Sequence, residues 1–134
     1  MNTIRNGGIA ALVIAFAVVP AFSGAMEGKP TGMLTGADGH HAAGKAVISK
    51  GRNGNPTLFL LDAKIDRAPD GRVHLAKGGD YTQGVELGRL TEFSGALEFP
   101  IPGGVNAQDY DSVVIWCHKF HVKIGEAFFQ KGAK

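Results

Sequence analysis

The pattern that decides the fold is clearest in the stretch Leu97-Glu98-Phe99-Pro100-Ile101-Pro102-Gly103-Gly104. Its apolar side chains stand at every second position and are followed at once by a proline–glycine turn. Because successive side chains of a β-strand point to opposite faces of a sheet, Leu97, Phe99 and Ile101 share one face. Glu98 lies on the other face, and proline and glycine supply the φ angles that a tight turn requires. The stretch therefore predicts a half-buried strand that ends in a turn.

Short apolar runs of this kind recur along the chain at spacings of roughly ten residues, as in antiparallel β domains. The other runs are Ala42–Ser49, Thr57–Leu61, Val73–Ala76, Val85–Leu90, Val113–Cys117, Phe120–Ile124 and Ala127–Phe129. Segments rich in glycine, proline, asparagine and aspartate separate many of them, and no run shows the 3.6-residue period of a helix. The sequence predicts an all-β fold, a single antiparallel β-sandwich or barrel-like domain.

Length and composition limit the classes of protein to which the chain can belong. Its 134 residues suit one domain, and 44% of them are apolar, which is enough for a packed core. With 14 basic and 12 acidic residues the net charge is +2, so the basic surplus typical of nucleic-acid binders is missing. A single cysteine excludes an intramolecular disulfide, multi-thiolate zinc sites and covalent haem attachment through a Cys-x-x-Cys-His motif.

The N-terminal residues 1–25 have the pattern of a signal peptide. Arg5 gives a positive start, an uncharged apolar run covers Ile9 to Val19, and small residues stand at 23–25. The apolar run has about half the length of a membrane-spanning helix. We expect export to the periplasm or the medium, with no membrane span after cleavage, although an uncleaved anchor is the alternative. Residues 26–31 are expected to be a flexible lead-in, and residues 32–130 the β domain.

The segment Val113 to Val122 differs from the other apolar runs in its chemistry. It contains the only tryptophan, the only cysteine and two of the five histidines. If the segment is one extended strand, Lys119 and His121 continue the face of Cys117, and nearby bases would favour a reactive thiolate. The alternative is that Cys117 is a small buried side chain beside a core tryptophan. We expect Trp116 inside the core, with Phe99 and Phe120 among its neighbours.

Histidines near this cysteine raise the question of a metal or cofactor. In an extended strand Cys117 and His118 point to opposite faces, so a small ion would need a sharp turn near Lys119 or a ligand such as His74 from another strand. A haem could take one axial ligand from this segment and the second from elsewhere. The spacing is weak evidence for zinc or copper, and no metal site is predicted.

The chain resembles the DM-thirteen (DM13) domain, a small all-β extracellular module described as an electron-transfer domain, over about residues 32–129. The stretches that carry the resemblance are His41–Ile48, Leu58–Leu60, Ala68–Leu75, Glu86–Leu90, Phe99–Pro102 and Tyr110–Phe120. The last of these is the most specific. The resemblance implies that the cysteine after the tryptophan is a redox residue, either as a free thiol or as the ligand of a prosthetic group such as haem. Cys117 is the position to which this role is carried over.

Three functions are compatible with the sequence. The first is an exported redox or electron-transfer module centred on Cys117, with a redox partner protein in the cell envelope and with His118, His121 and His74 as candidate cofactor ligands. The second is an extracytoplasmic binding or adhesion module, in which loops such as Asp62–Asp70 or Lys77–Gln83 contact a partner and the cysteine is purely structural. The third is an intermolecular disulfide through the odd cysteine. No machinery for substrate turnover is visible.

Overall fold

The computed structural model describes residues 28–130, so the segment predicted to be a signal peptide lies outside the described residues. The described part contains eight β-strands and one short 3-10 helix at Ala107–Asp109. The strands are β1 Thr31–Gly36, β2 Ala42–Lys50, β3 Pro56–Ile65, β4 Gly71–Lys77, β5 Asp80–Arg89, β6 Ser94–Pro100, β7 Ser112–Cys117 and β8 Val122–Phe128. Between residues 28 and 130, no helix is long and apolar enough to cross a membrane.

All eight strands belong to one antiparallel sheet with the order β5-β4-β7-β8-β1-β2-β3-β6. The first and last strands meet in the middle of this sheet, where Thr35 of β1 pairs with Glu126 of β8. The sheet curls into a half-barrel, so that its two edge strands approach each other and Gly88 of β5 lies against the ring of Phe99 of β6. The predicted all-β, barrel-like antiparallel domain is confirmed.

The core consists of the side chains that the strands direct into the curve of the sheet. Leu97 and Phe99 are buried there while Glu98 between them is exposed, as the alternation predicts. Leu58, Leu60, Val73, Leu75, Val113, Ile115 and Ile124 belong to the same cluster. Full burial of one such side chain contributes about 1.5–3 kcal/mol to folding, so each residue of this inner face is a substantial source of stability.

Strand β1 is central in the sheet, although the apolar patterns of the sequence predict no strand there. Its sequence has only two adjacent apolar residues, Met33, which is exposed, and Leu34, which is buried. Gly32 and Gly36 have no room for a Cβ atom, because the backbone carbonyls of Phe128 and His40 lie against them. Glycine in this strand therefore allows the close approach of neighbouring backbone. Thr31, the last residue of the predicted lead-in, belongs to β1.

The segment 113–124 is a hairpin, and the interpretation as one extended strand is wrong. Strand β7 ends at Cys117, residues 118–121 form a turn, and Cys117 pairs with Val122 at the start of β8. The turn contains neither glycine nor proline, and His121 takes a positive φ of 53° within it. Lys119 and His121 therefore do not continue the face of Cys117. Phe120 is 62% exposed and is not a core residue.

Candidate functional site on the two faces of strand β7

Cys117 lies on the inner face of β7, at the end of the strand. Its neighbours across the sheet are Gly71 of β4 and Val122 of β8. The side chain is fully buried in the apolar cluster that also contains Val113 and Ile115, so the prediction that these three residues share a face is confirmed. A sulfur atom that is enclosed in this way cannot reach bonding distance of a sulfur in a second chain. An intermolecular disulfide therefore does not fit the folded chain.

Trp116 lies on the outer face of β7, which corrects the prediction that it is inside the core next to Phe99. It is half-buried, and its indole stacks on the ring of Tyr81 with a centroid distance of 4.2 Å and an interplanar angle of 23°. The Tyr81 ring also meets His74 edge-on, at 5.3 Å and 60°. We call these three residues the aromatic cluster. Such pairs add about 0.5–1.5 kcal/mol to the free energy of burial.

An irregular start of β5 places Tyr81 over β7. Lys77 pairs with Asp80 and Leu75 pairs with Val85, so residues 81–84 of β5 stand opposite one residue of β4. We call residues 81–84 the Tyr81 bulge. The Asp80 carboxylate holds its start by accepting hydrogen bonds from the backbone N–H and the hydroxyl of Thr82, at 3.0 and 2.7 Å. The sequence singles out the loop Lys77–Gln83 only as a partner contact of the binding-module alternative, and it gives no sign that Tyr81 covers the tryptophan.

The adjoining turn anchors this cover to the rest of the sheet. The Gly79 N–H donates to the Ser112 hydroxyl at 3.0 Å, and Gly79 lies against the side chains of Glu126 and Phe128 of β8. At the other end of the bulge, Gly84 lies so close to the Leu75 carbonyl that no Cβ fits. The aromatic cluster is therefore covered by a short segment that is fixed at both ends.

His74 is a buried titratable group beneath this cover. Its side chain is only 6% exposed, and its Nε2 lies 3.9 Å from an oxygen of Glu86. Burial lowers the pKa of His74 below its ordinary value, although Glu86 acts in the opposite direction, so the imidazole is neutral at neutral pH. Its Nδ1, like the Nε1 of Trp116, is buried without a hydrogen-bond partner among the described residues. Two buried polar atoms of the cluster are thus unpaired within the part of the chain that the structure describes.

Arg72 faces Trp116 across the β4–β7 pair and organises the charges beside the cluster. Its Nε donates to Asp70 at 2.7 Å and its Nη1 donates to Glu86 at 3.0 Å. The guanidinium lowers the pKa of the Asp70 carboxyl, mainly through this hydrogen bond, and the two carboxylates raise the pKa of Arg72. The positive charge is therefore matched by carboxylates on both sides.

The four candidate residues from the sequence do not meet at one centre. Cys117 faces the core, His74 faces the opposite side of the sheet, and His118 and His121 are exposed in the turn. The backbone N–H of His118 donates to the Asp70 carbonyl at 2.9 Å, which places this turn beside the Arg72 end of the cluster. Within residues 28–130, no group of three or more histidine, cysteine, aspartate or glutamate side chains is arranged to hold a metal ion.

The surroundings of Cys117 do not fit a haem. A thiolate ligand must face a space large enough for the planar macrocycle. One described surface cavity, of about 390 Å³, lies between β5 and β6 and is lined by Gly88, Arg89 and Phe99 among others. A second, of about 330 Å³, is lined by Arg67, Ala68, Pro69 and Phe93. Neither is lined by Cys117 or by a histidine, so these two cavities do not fit a haem that is ligated by the candidate residues.

The fold and the site define a small antiparallel β domain with one buried cysteine on its inner face and a covered tryptophan on its outer face. The family model described as Electron transfer DM13 matches residues 34–129, from β1 to the residue after β8, and the chain belongs to this family. The resemblance seen in the sequence is thus confirmed, and the chain is an electron-transfer-related module. No curated protein and no solved structure matches the chain.

Proposed function

We propose that this protein is an exported electron-transfer module in which Cys117 changes its oxidation state and a partner protein in the cell envelope exchanges electrons with it. The observation that carries the proposal is that the only cysteine lies inside the region matched by the electron-transfer family, directly after the only tryptophan. The signal-like pattern of residues 1–25 supports export.

The burial of Cys117 favours one-electron exchange over thiol–disulfide exchange. Disulfide exchange requires direct attack by one sulfur on another, and the fully buried side chain prevents this contact. An electron, by contrast, passes through packed protein atoms over short distances without contact between donor and acceptor. In the oxidation step the Cys117 thiol gives one electron to a one-electron oxidant, and its proton reaches water by local opening at the end of β7, because the described side chains around the sulfur include no base. The reverse step restores the thiol from a one-electron reductant and a proton.

Titration of the native protein with hexachloroiridate(IV), a one-electron oxidant, tests this role. We expect the modification to appear at Cys117 in peptide mass spectra, while an alkylating reagent leaves the thiol of the folded protein unmodified. Cys117→Ala is the matched control, because it removes the sulfur with little loss of volume. Oxidation of other residues only, with an intact Cys117, would contradict the proposal. An absorbance spectrum of protein purified from its native compartment reveals any chromophore that binds outside the described cavities.

A second function is favoured by the same burial of Cys117. A cysteine that is wholly enclosed by apolar side chains also suits a structural role, and the groove between β5 and β6 offers a surface for a partner. The protein would then be an extracytoplasmic binding or adhesion module. Under this alternative Cys117→Ala retains all function, and the iridate titration does not modify the cysteine of the wild-type protein.

A further inference from the structure

The side chains that give up single electrons most readily are rare in this chain, and most of them lie in one place. The sequence has one tryptophan, one cysteine and two tyrosines. Trp116 and Cys117 are adjacent, and Tyr81 stacks on Trp116. We propose that Trp116 and Tyr81 form an electron relay between Cys117 and the outer surface of the sheet. The relay rests on the proposed function, because it requires Cys117 to be the redox residue.

The relay crosses the sheet at a single strand. The side chains of Cys117 and Trp116 point to opposite faces of β7, but they are joined by a short covalent path through the backbone. From the indole, the 4.2 Å stack continues the path to the partly exposed ring of Tyr81. The thiol itself has no exposed surface, and the partly exposed ring of Tyr81 offers a partner an aromatic route to it from the outer face.

The environment of the indole suits a residue that passes an electron without losing a proton. Trp116 Nε1 is buried and has no acceptor among the described residues, so the oxidised indole keeps its N–H proton. The nearest titratable ring, His74, meets Tyr81 through an edge contact and makes no hydrogen bond to Trp116. The relay residue therefore returns to its starting state as soon as it regains the electron.

One complete transfer is balanced in electrons and protons. A one-electron oxidant at the surface takes an electron from Tyr81, and the phenolic proton passes to water. Tyr81 then regains an electron from Trp116 and a proton from water, and Trp116 regains its electron from Cys117. The Cys117 thiol has no base beside it among the described residues, and it releases its proton to water when the end of β7 opens locally. The net change is a reduced oxidant and a cysteine that has lost one electron and one proton, with both ring systems unchanged.

A flash experiment with photogenerated tris(bipyridine)ruthenium(III) tests the relay in the folded protein. The oxidant is generated in air-saturated solution, where dioxygen is small enough to reach a buried cysteine radical and converts it to sulfur oxyacids. Peptide mass spectrometry of the quenched, unfolded protein measures their yield at Cys117. Trp116→Phe and Tyr81→Phe keep an aromatic ring at each position and remove its ability to pass an electron. We expect each variant to lower the yield at Cys117 by about ten-fold, the effect of roughly 1.4 kcal/mol on a barrier. Tyr110→Phe is the matched control and leaves the yield unchanged, since Tyr110 contacts Lys77 and is not in the stack.

The outcomes separate the relay from the function on which it rests. If Cys117 is oxidised equally in wild type, Trp116→Phe and Tyr81→Phe, the relay is wrong and the redox role of Cys117 stands. If the wild-type protein consumes the oxidant without any product at Cys117, the proposed role of the cysteine is wrong, and the relay fails with it. Thermal unfolding followed by circular dichroism shows that each variant is folded. If Trp116→Phe is unfolded, Tyr81→Phe decides the question alone, because it loses only a hydroxyl.

Discussion

The two faces of strand β7 differ in what holds their side chains in place. On the inner face Val113, Ile115 and Cys117 are fully buried in a continuous apolar core. On the outer face Trp116 is covered by Tyr81, a residue of an irregular bulge. The inner face is fixed by the packing of the whole sheet, whereas the outer face depends on one short segment. Substitutions on the two faces should therefore have different consequences, and the predictions below test this difference.

The largest effect is expected for a truncation on the inner face. Ile115→Ala removes three buried carbon atoms from a site with no exposed surface and should lower the free energy of unfolding by about 2–5 kcal/mol. Urea denaturation measures the change. Phe120→Ala is the control in the adjoining turn, and because this ring is 62% exposed, its effect should stay within about 0.5 kcal/mol. Equal losses in the two variants would mean that the turn packs as tightly as the core.

The second prediction concerns polarity at Cys117. Cys117→Ser places a hydroxyl in an apolar cluster where the cysteine makes no hydrogen bond, and an unpaired buried hydroxyl costs about 1–3 kcal/mol. Cys117→Ala leaves a small cavity without a polar group and should cost less. The same urea measurement compares the two variants. A serine variant as stable as the alanine variant would show that the site contains a partner for the hydroxyl, and the inner face would then not be uniformly apolar.

The inner face is the part of the molecule that the sequence predicts well. Alternation of apolar and polar residues places Leu97 and Phe99 inside and Glu98 outside, because the side-chain period of a strand is two whatever its neighbours are. The same rule does not detect the turn at 118–121. The alternation continues through it, and no glycine or proline marks the reversal. Strand β1 is missed for a different reason. Gly32 and Gly36 allow neighbouring backbone to approach closely, and they leave the strand with too few apolar side chains to show an alternating pattern.

The outer face is predicted less well because it depends on contacts between residues that are distant in the sequence. The sequence singled out Trp116, His74 and Cys117, yet it gave the wrong side for the tryptophan. Tyr81 lies 35 positions before Trp116 and reaches it only through the register shift of β5. No local pattern records such a shift. Propensity and periodicity are properties of a single strand. The position of Tyr81 over Trp116 depends instead on how strands β4 and β5 pair.

The third prediction tests the cover itself. Tyr81→Ala removes both ring contacts of the aromatic cluster and should lower the free energy of unfolding by about 0.5–1.5 kcal/mol beyond the loss of buried area. Tyr81→Phe keeps both contacts and is the matched control, with little change expected. The fluorescence of Trp116, the only tryptophan, should shift to longer wavelength in Tyr81→Ala as the indole becomes solvated. An unchanged emission spectrum would show that Tyr81 does not shield the indole.

The smallest effect is a pH dependence that arises under the same cover. Burial lowers the pKa of His74 below its ordinary value of 6.5, so the unfolded chain binds a proton there at a higher pH than the folded chain does. Stability is therefore fully present above the unfolded pKa and falls as the pH drops through 6.5 toward the folded pKa. The slope stays below about 1.4 kcal/mol per pH unit, the limit for one proton. Urea denaturation between neutral and mildly acidic pH measures it.

Variants separate this slope from other titrations. His74→Leu should flatten the pH dependence in the mildly acidic range, whereas His121→Gln, which changes an exposed turn residue, should leave it in place. Asp66, Asp70 and Asp80 also have lowered pKa values, but they lose their stabilising effect only as the pH falls below the ordinary carboxyl value of 3.8. A slope in the mildly acidic range that persists in His74→Leu would mean that another group titrates there, and the imidazole would then not be held neutral by its burial beneath Tyr81.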